Sequence, residues 1–213
     1  MITEEMVEAL RERVRPRLTE KRYGHTLAVE AKAVELGQMF LPEKIRELRA
    51  AALLHDITKK DELATQLQYC EAFGLPVQET DTYAPKTFHA MTAAAMVQRD
   101  FPAYATEDVV NGVRWHTTGH THMTLFEYLV YLADYIEDTR TFADCVTLRE
   151  YFAEQMAKAT TEPEKQDALH RTLLLSFDMT IRGLIEEGGP IGKDTLDARN
   201  ELIYTLKSPS VCR

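Results

Sequence analysis

The chain has 213 residues, 45% hydrophobic and 28% charged, which excludes disorder over most of its length, a collagen-like repeat and a disulfide scaffold. Gly 9 and Pro 8 are too few for a turn-dense sandwich or barrel and favour helices. Lys+Arg 25 against Asp+Glu 34 leaves a formal net charge of -9, which repels a phosphate backbone and argues against nucleic acid as a partner.

Thr3 before Glu4-Glu5 reads as an N-cap with acidic first-turn residues, and Val7, Leu10 and Val14 follow at helical spacing until Pro16. A second helix is expected from about Glu20 to Phe40, with His25, Val29, Ala33, Leu36 and Phe40 inward. After Leu41-Pro42, residues Ile45, Leu48, Ala52 and His55 share one face of a third. Asp61 to Phe73 reads as a helix stopped by Gly74 and Pro76, and Val77 to Lys86 as a polar loop. Phe88 to Val97 carries His89, Ala93 and Met96 on one side; Val109, Val113 and His116 line one side of the next helix. Leu125 to Asp138 is apolar almost all round, the mark of a buried helix. Thr160 to Lys165 is a helix connection or a domain boundary. Leu169, Leu173, Phe177, Ile181 and Leu184 form a late stripe closed by Gly188-Gly189-Pro190. Asp194 or Thr195 caps a last helix through Leu206, and Ser208 to Arg213 should fray. No segment alternates with period two, so the expected fold class is all-α, one domain over 1–213.

No apolar run approaches the roughly 20 residues a bilayer needs. The acidic start lacks the basic and apolar segments of a signal peptide, so neither membrane nor secretion is expected. Cys70, Cys145 and Cys212, odd in number and far apart, suit a reducing cytoplasm and no thiolate metal site.

Four of the 7 histidines, His25, His55, His89 and His116, fall on faces that otherwise carry core residues. One inward histidine is usually a core residue bonded to a carbonyl. Four on four helices point to ligands, because bundles build metal sites from facing helices and neutral imidazole is the commonest metal ligand. Asp56 follows His55 at the end of an Ala/Leu-rich helix, where a lone Asp is ordinarily an exposed helix end. Asp134 sits mid-helix in Tyr131-Leu132-Ala133-Asp134-Tyr135-Ile136, where a carboxylate needs an ion or a salt bridge, to Arg140 or Arg149. His and Asp without thiolate suit Zn, Mn, Fe, Co or Ni, with ligands enough for one ion or two. Two adjacent ions can activate water and clamp the oxygens of an in-line displacement at phosphorus. Arg22, Lys59, Lys60 and Arg140 lie close in sequence to these ligands and are either solvated charges or phosphate contacts. His120 and His122 read as exposed loop residues, and the Met and Tyr residues from Met123 to Tyr135 as core and pocket wall.

The ordered set His25, His55-Asp56 and Asp134 resembles the four defining positions of the HD superfamily of metal-dependent phosphohydrolases. Over roughly Lys21 to Asn200 the chain more closely resembles the bacterial YqeK family of symmetrical bis(5′-nucleosyl)-tetraphosphatases. The matching stretches are Lys21-Arg22-Tyr23-Gly24-His25, Ala52-Leu53-Leu54-His55-Asp56-Ile57-Thr58-Lys59, His89, His116-Thr117-Thr118-Gly119 and Ala133-Asp134-Tyr135-Ile136-Glu137-Asp138-Thr139-Arg140. Gly189-Pro190-Ile191, Thr195 and Ala198-Arg199-Asn200 add to them. The family usually has Pro where Asp138 stands, a change that should alter only a turn, and often larger polar residues at Gly189 and Gly192.

The resemblance implies an HD-domain helical bundle, with its core at about 20–140 and additional C-terminal helices at about 145–206 packed on it. It implies one or two divalent transition metal ions, iron first and Mn, Co, Ni or Zn otherwise. The implied reaction is hydrolysis of diadenosine tetraphosphate and related dinucleoside polyphosphates to two ADP. Carried over by position, His25, His55, Asp56 and Asp134 ligate the first ion, while His89 and His116 complete a second site or hold phosphate. Asp56, Lys59 and Asp134 are the implied catalytic residues; Arg22, Lys59, Thr117 and Arg140 bind phosphates, and Gly189, Pro190, Ile191 and Arg199 line the nucleotide site. Other readings are an HD phosphohydrolase for another nucleotide, or a nucleotide- or metal-sensing module. All six ligand positions are filled, which favours an enzyme. The apolar helices either fill a monomer core or leave a homodimer face.

Overall fold

The computed structural model describes residues 1–77 and 82–207. Part of the expected loop Val77 to Lys86, and the tail Ser208 to Arg213 with Cys212, lie outside the described residues. All regular structure among them is helical, as the spacing and the resemblance lead one to expect. The chain forms two compact units: Met1–Thr117 with Thr124–Thr139, and Thr118–Met123 with the residues from Arg140 onward.

The first unit holds α1 (Glu4–Val14), α2 (Glu20–Phe40), α3 (Ile45–Leu54), α4 (Leu63–Phe73), α5 (Phe88–Asp100), α6 (Glu107–Trp115) and α7 (Leu125–Ile136). Threonine starts four of these helices. Thr3, Thr19, Thr106 and Thr124 are extended, and each hydroxyl accepts the N–H three residues on. Each such cap satisfies an otherwise orphaned donor, worth about 1 kcal/mol. Gly74 takes the left-handed conformation that ends α4, where the sequence places it.

Helix α2 lies along α3, and α7 packs against α2, α3 and α6. Val29, Ala33, Leu36, Leu48, Leu53, Leu54, Leu129 and Leu132 fill this core. Gly112 lets α6 approach α7 closely, since a Cβ there would stand 2.9 Å from Phe126 Cε1. The buried helix expected through Asp138 stops at Ile136. Glu137 leaves the helix with ψ 150, and its side chain turns inward, fully buried.

An ion network ties α1, α2 and α3 together. Glu30 is buried and accepts from Arg11 Nε at 2.8 Å, Arg11 Nη2 at 2.9 Å and Arg49 Nε at 2.8 Å. Arg49, also buried, reaches Glu4 and Glu8 as well. Burial works against the Arg49 charge, but its bonds to Glu4, Glu30 and Glu8 outweigh it and raise its pKa.

The second unit holds α8 (Ala143–Lys158), α9 (Glu162–Glu186) and α10 (Lys193–Lys207), with α9 packed against the other two. Residues 159–161 form a short connection, and Thr161 with Glu164 makes a capping box for α9. Leu169, Leu173 and Phe177 of the expected stripe are buried. Helix α10 begins at Lys193, so neither Asp194 nor Thr195 is its cap; Thr195 Oγ1 instead donates to the Thr118 carbonyl at 3.0 Å. In the segment 118–123, Gly119 has φ 62, and a Cβ on it would meet Phe177 Cζ at 2.7 Å. His122 is exposed as expected, its ring 2.7 Å from Glu201, whereas His120 is half-buried. No helix among the described residues is long and apolar enough to cross a membrane.

Removing the Glu30 carboxylate leaves Arg49 buried with only rim partners. Glu30→Ala is expected to cost about 3 kcal/mol, read as a lower urea midpoint at unchanged slope.

Candidate metal centre

The four inward histidines and both aspartates come together within the first unit. His25 is in the second turn of α2, His55 and Asp56 follow α3, His89 opens α5, His116 follows α6, and Asp134 is in the last turn of α7. The imidazoles stand edge to face in a row, with centroids 5.6 Å apart for His25–His55, 4.9 Å for His55–His116 and 5.0 Å for His89–His116. His55, Asp56, His89 and His116 are buried, while His25 and Asp134 line the more open side.

Asp56 sits at the middle. Its Oδ2 is 2.9 Å from Arg22 Nη1, 3.2 Å from His55 Nε2 and 3.9 Å from His25 Nε2. Its Oδ1 is 3.3 Å from His89 Nε2 and 3.8 Å from His116 Nε2. Asp134 Oδ1 lies 2.9 Å from His25 Nε2 and 3.8 Å from His55 Nε2. Asp56 is thus no exposed helix end, and Asp134 faces imidazoles.

The other ring nitrogen of each histidine is anchored outward. Nδ1 lies 2.6 Å from the Ala52 carbonyl for His55, 2.7 Å from Lys86 for His89, 2.7 Å from Val113 for His116 and 3.0 Å from Glu137 Oε1 for His25. Acceptors at Nδ1 leave every Nε2 turned to the centre. The Nε2 atoms of His25 and His55 are buried and make no hydrogen bond among the described residues. Each such atom costs about 1–3 kcal/mol unless something uses it. A divalent cation does so, and the donors fit one: His25, His55 and Asp134 form one group within 4.8 Å, and His55, Asp56 and His116 another. His55 has one inward lone pair and serves one ion, whereas Asp56 has an oxygen on each side.

Charge in the cluster is arranged for ligation. Burial raises the Asp56 pKa, but His55 and His89 outweigh it and hold the carboxyl well below its ordinary range. Burial depresses His55, yet Asp56 and Asp134 raise it overall. Burial lowers His89, and burial with the neighbouring His55 and His89 lowers His116 strongly, so both stay neutral.

Lys59 Nζ lies 3.1 Å from His89 Nε2, and Thr117 Oγ1 3.2 Å from the same atom, so both border the cluster. Lys60 instead donates to the Pro16 carbonyl. Arg140, Gly189, Pro190, Ile191 and Arg199 belong to the second unit. There Arg199 Nε donates to Asp178 at 2.6 Å, and the Arg140 carbonyl accepts from Arg149. Asp138 does more than alter a turn: it stands 3.3 Å from the buried Lys32 ammonium. Sequence reasoning missed Glu137, whose signal is its place three residues after Asp134, one turn further on. It also missed Thr58, Thr92 and Gln66, buried and mutually bonded, with Thr58 Oγ1 donating to the His89 carbonyl at 3.0 Å.

The HD domain family matches residues 22–139, the span that carries all six cluster residues. The chain is 32% identical over 197 residues to the symmetrical bis(5′-nucleosyl)-tetraphosphatase of Halalkalibacterium halodurans, covering 91% of this chain and 95% of that one. The enzyme of the same name from Bacillus subtilis is 31% identical over 190 residues, covering 89% and 94%. A crystal structure from Clostridium acetobutylicum, described as a predicted HD superfamily hydrolase involved in NAD metabolism, matches with a TM-score of 0.79. That protein is 31% identical, with 93% of this chain and 97% of that chain covered. The chain therefore belongs to the HD domain family and, within it, to the family of the symmetrical bis(5′-nucleosyl)-tetraphosphatases.

Asp56 and Asp134 raise the His55 pKa against the effect of burial, so protons compete with an ion for this ring. Metal uptake is expected to release protons, and affinity to fall as pH drops. Calorimetry in buffers of different ionisation enthalpy measures both.

Proposed function

We propose that the chain is a metal-dependent phosphoanhydride hydrolase that splits diadenosine tetraphosphate, and related dinucleoside polyphosphates, symmetrically into two ADP. The observation that carries this reading is Asp56, with Oδ2 turned to His55 and His25 and Oδ1 to His89 and His116. A carboxylate so placed can serve two neighbouring cations, or one cation and the groups that hold its substrate. The relatives supply the reaction, since two of them carry the name of the symmetrical tetraphosphatase.

His25, His55, Asp56 and Asp134 are the first ligand set in this proposal, and iron is the ion we favour. The bound ion supplies an acidified water and neutralises phosphate charge. The remaining work falls to the chain. Arg22 uses one N–H on Asp56, which orients the guanidinium beside the ligands, and its other donors are available to a phosphate oxygen. Lys59 and Thr117 border His89 and offer an ammonium and a hydroxyl to the next phosphate. ADP leaves as a stable anion, so no strong general acid is needed. Arg140, Gly189, Pro190, Ile191 and Arg199 are our candidates for nucleotide contacts. A nucleotide substrate with its own bound cations also suits a chain of net charge -9, which disfavours nucleic acid.

Chromatography of the products decides the reaction. Metal-replete protein with diadenosine tetraphosphate is expected to yield ADP as the sole nucleotide product. AMP and ATP in equal amounts would reject symmetrical cleavage but keep the hydrolase; tight binding without turnover would point to a sensing module.

The role of Lys59 is separable from metal retention. Lys59→Ala is expected to keep its metal while kcat/KM falls roughly ten-fold to a thousand-fold. Parallel loss of metal and activity would make Lys59 structural.

A further inference from the structure

The four histidines are not held alike. His55 and His116 follow α3 and α6, and His89 opens α5 after the helical turn Pro85–Thr87. At helix ends the main chain has spare carbonyls, and each of these rings takes the one three residues earlier. His25 lies inside α2, where carbonyls are committed to the helix's own N–H groups. Its Nδ1 reaches a side chain instead, Glu137 of the segment after α7.

Glu137 is anchored for that contact. It is fully buried, with Oε1 accepting from Thr139 Oγ1 at 2.8 Å and Oε2 from the Thr139 N–H. Both ring nitrogens of His25 face a carboxylate, Glu137 at 3.0 Å and Asp134 at 2.9 Å. With Asp134 and Nε2 turned to a shared cation, Glu137 would accept the Nδ1 proton and leave the lone pair on Nε2. Carboxylate–imidazole pairs of this kind also make the imidazole a stronger ligand than a carbonyl contact does.

Building on the metal reading above, we infer that Glu137 is a positioning residue: it fixes the tautomer and orientation of His25 and strengthens metal binding by the His25, His55 and Asp134 group. The main-chain contacts of His89 and His116 give those rings no such carboxylate, so the two sides of the cluster differ in strength.

Glu137→Gln tests this. The amide keeps the shape but presents one acceptor where three donors converge, and its NH2 must face one of them. With Co2+ as the probe against a competing chelator, its Kd is expected to rise about 10–100-fold. The Co2+ absorption band should change with it. Acting through His25, the substitution should add little in a His25→Ala background, whereas a merely structural role would be additive. Should Glu137→Gln fail to fold, Thr139→Val removes one anchor only and is expected to weaken Co2+ binding by a few-fold (~3-fold) through the same shell. Unchanged Co2+ affinity in both variants, or full additivity with His25→Ala, would overturn the role of Glu137. No Co2+ uptake by the unmodified chain would overturn the metal reading itself.

Discussion

One carboxylate, Asp56, is held almost out of water among four imidazoles, and the first unit is arranged around that fact. An ionised carboxylate in such a place is costly unless cations or donors surround it. Arg22 supplies one partner and the histidines the others. The histidines in turn need acceptors at their outer nitrogens, and helix ends are where the main chain has them to give. That is a physical reason for α3 to stop at Leu54, for α6 to stop at Trp115 and for α5 to start at Phe88. Helices α3 and α6 present carbonyls of their C-terminal ends to the cluster, and the turn before α5 presents that of Lys86.

The sequence was most legible where a polar residue broke an apolar face. His25, His55, His89, His116 and Asp134 could each be placed by helical spacing, and the structure brings all five together with Asp56. The helices were readable to within a few residues for the same reason, through stripes such as Val7-Leu10-Val14. What stayed hidden was whatever depends on a tertiary partner. Glu137 stood in the matching stretch after Asp134 with no role assigned; its contact appears only when His25, 112 residues earlier, arrives beside it. Thr58, Gln66 and Thr92 are ordinary polar residues in sequence, and only their mutual burial reveals a network behind His89. Asp194 and Thr195 are not the cap of α10, because the helix already begins at Lys193 and the Thr195 hydroxyl is engaged with the Thr118 carbonyl.

The stretch His116-Thr117-Thr118-Gly119 illustrates how one short motif carries two kinds of demand. His116 and Thr117 belong to the first unit, where both border the cluster. Thr118 and Gly119 belong to the second, where their roles are packing: a carbonyl bonded to Thr195, and a left-handed backbone against Phe177 that a side chain would collide with. A substitution at Gly119 would therefore act through the fold of the second unit, and a substitution at His116 through charge and ligation.

The two sides of the cluster are unequal in charge, and this bears on what each can hold. On one side His25 and His55 face Asp134 and one oxygen of Asp56, two carboxylates against one guanidinium. That balance welcomes a divalent cation. On the other side His89 and His116 share only the second oxygen of Asp56, and an ammonium stands 3.1 Å from the inner nitrogen of His89. A second cation there must face Lys59, whereas an anionic oxygen would find the ammonium, a hydroxyl and neutral rings together. In the proposed reaction the same asymmetry would orient a polyphosphate chain, its charged non-bridging oxygens meeting Lys59 and Thr117 on the second side and approaching the carboxylate-rich side only where a cation and Arg22 offset the carboxylates.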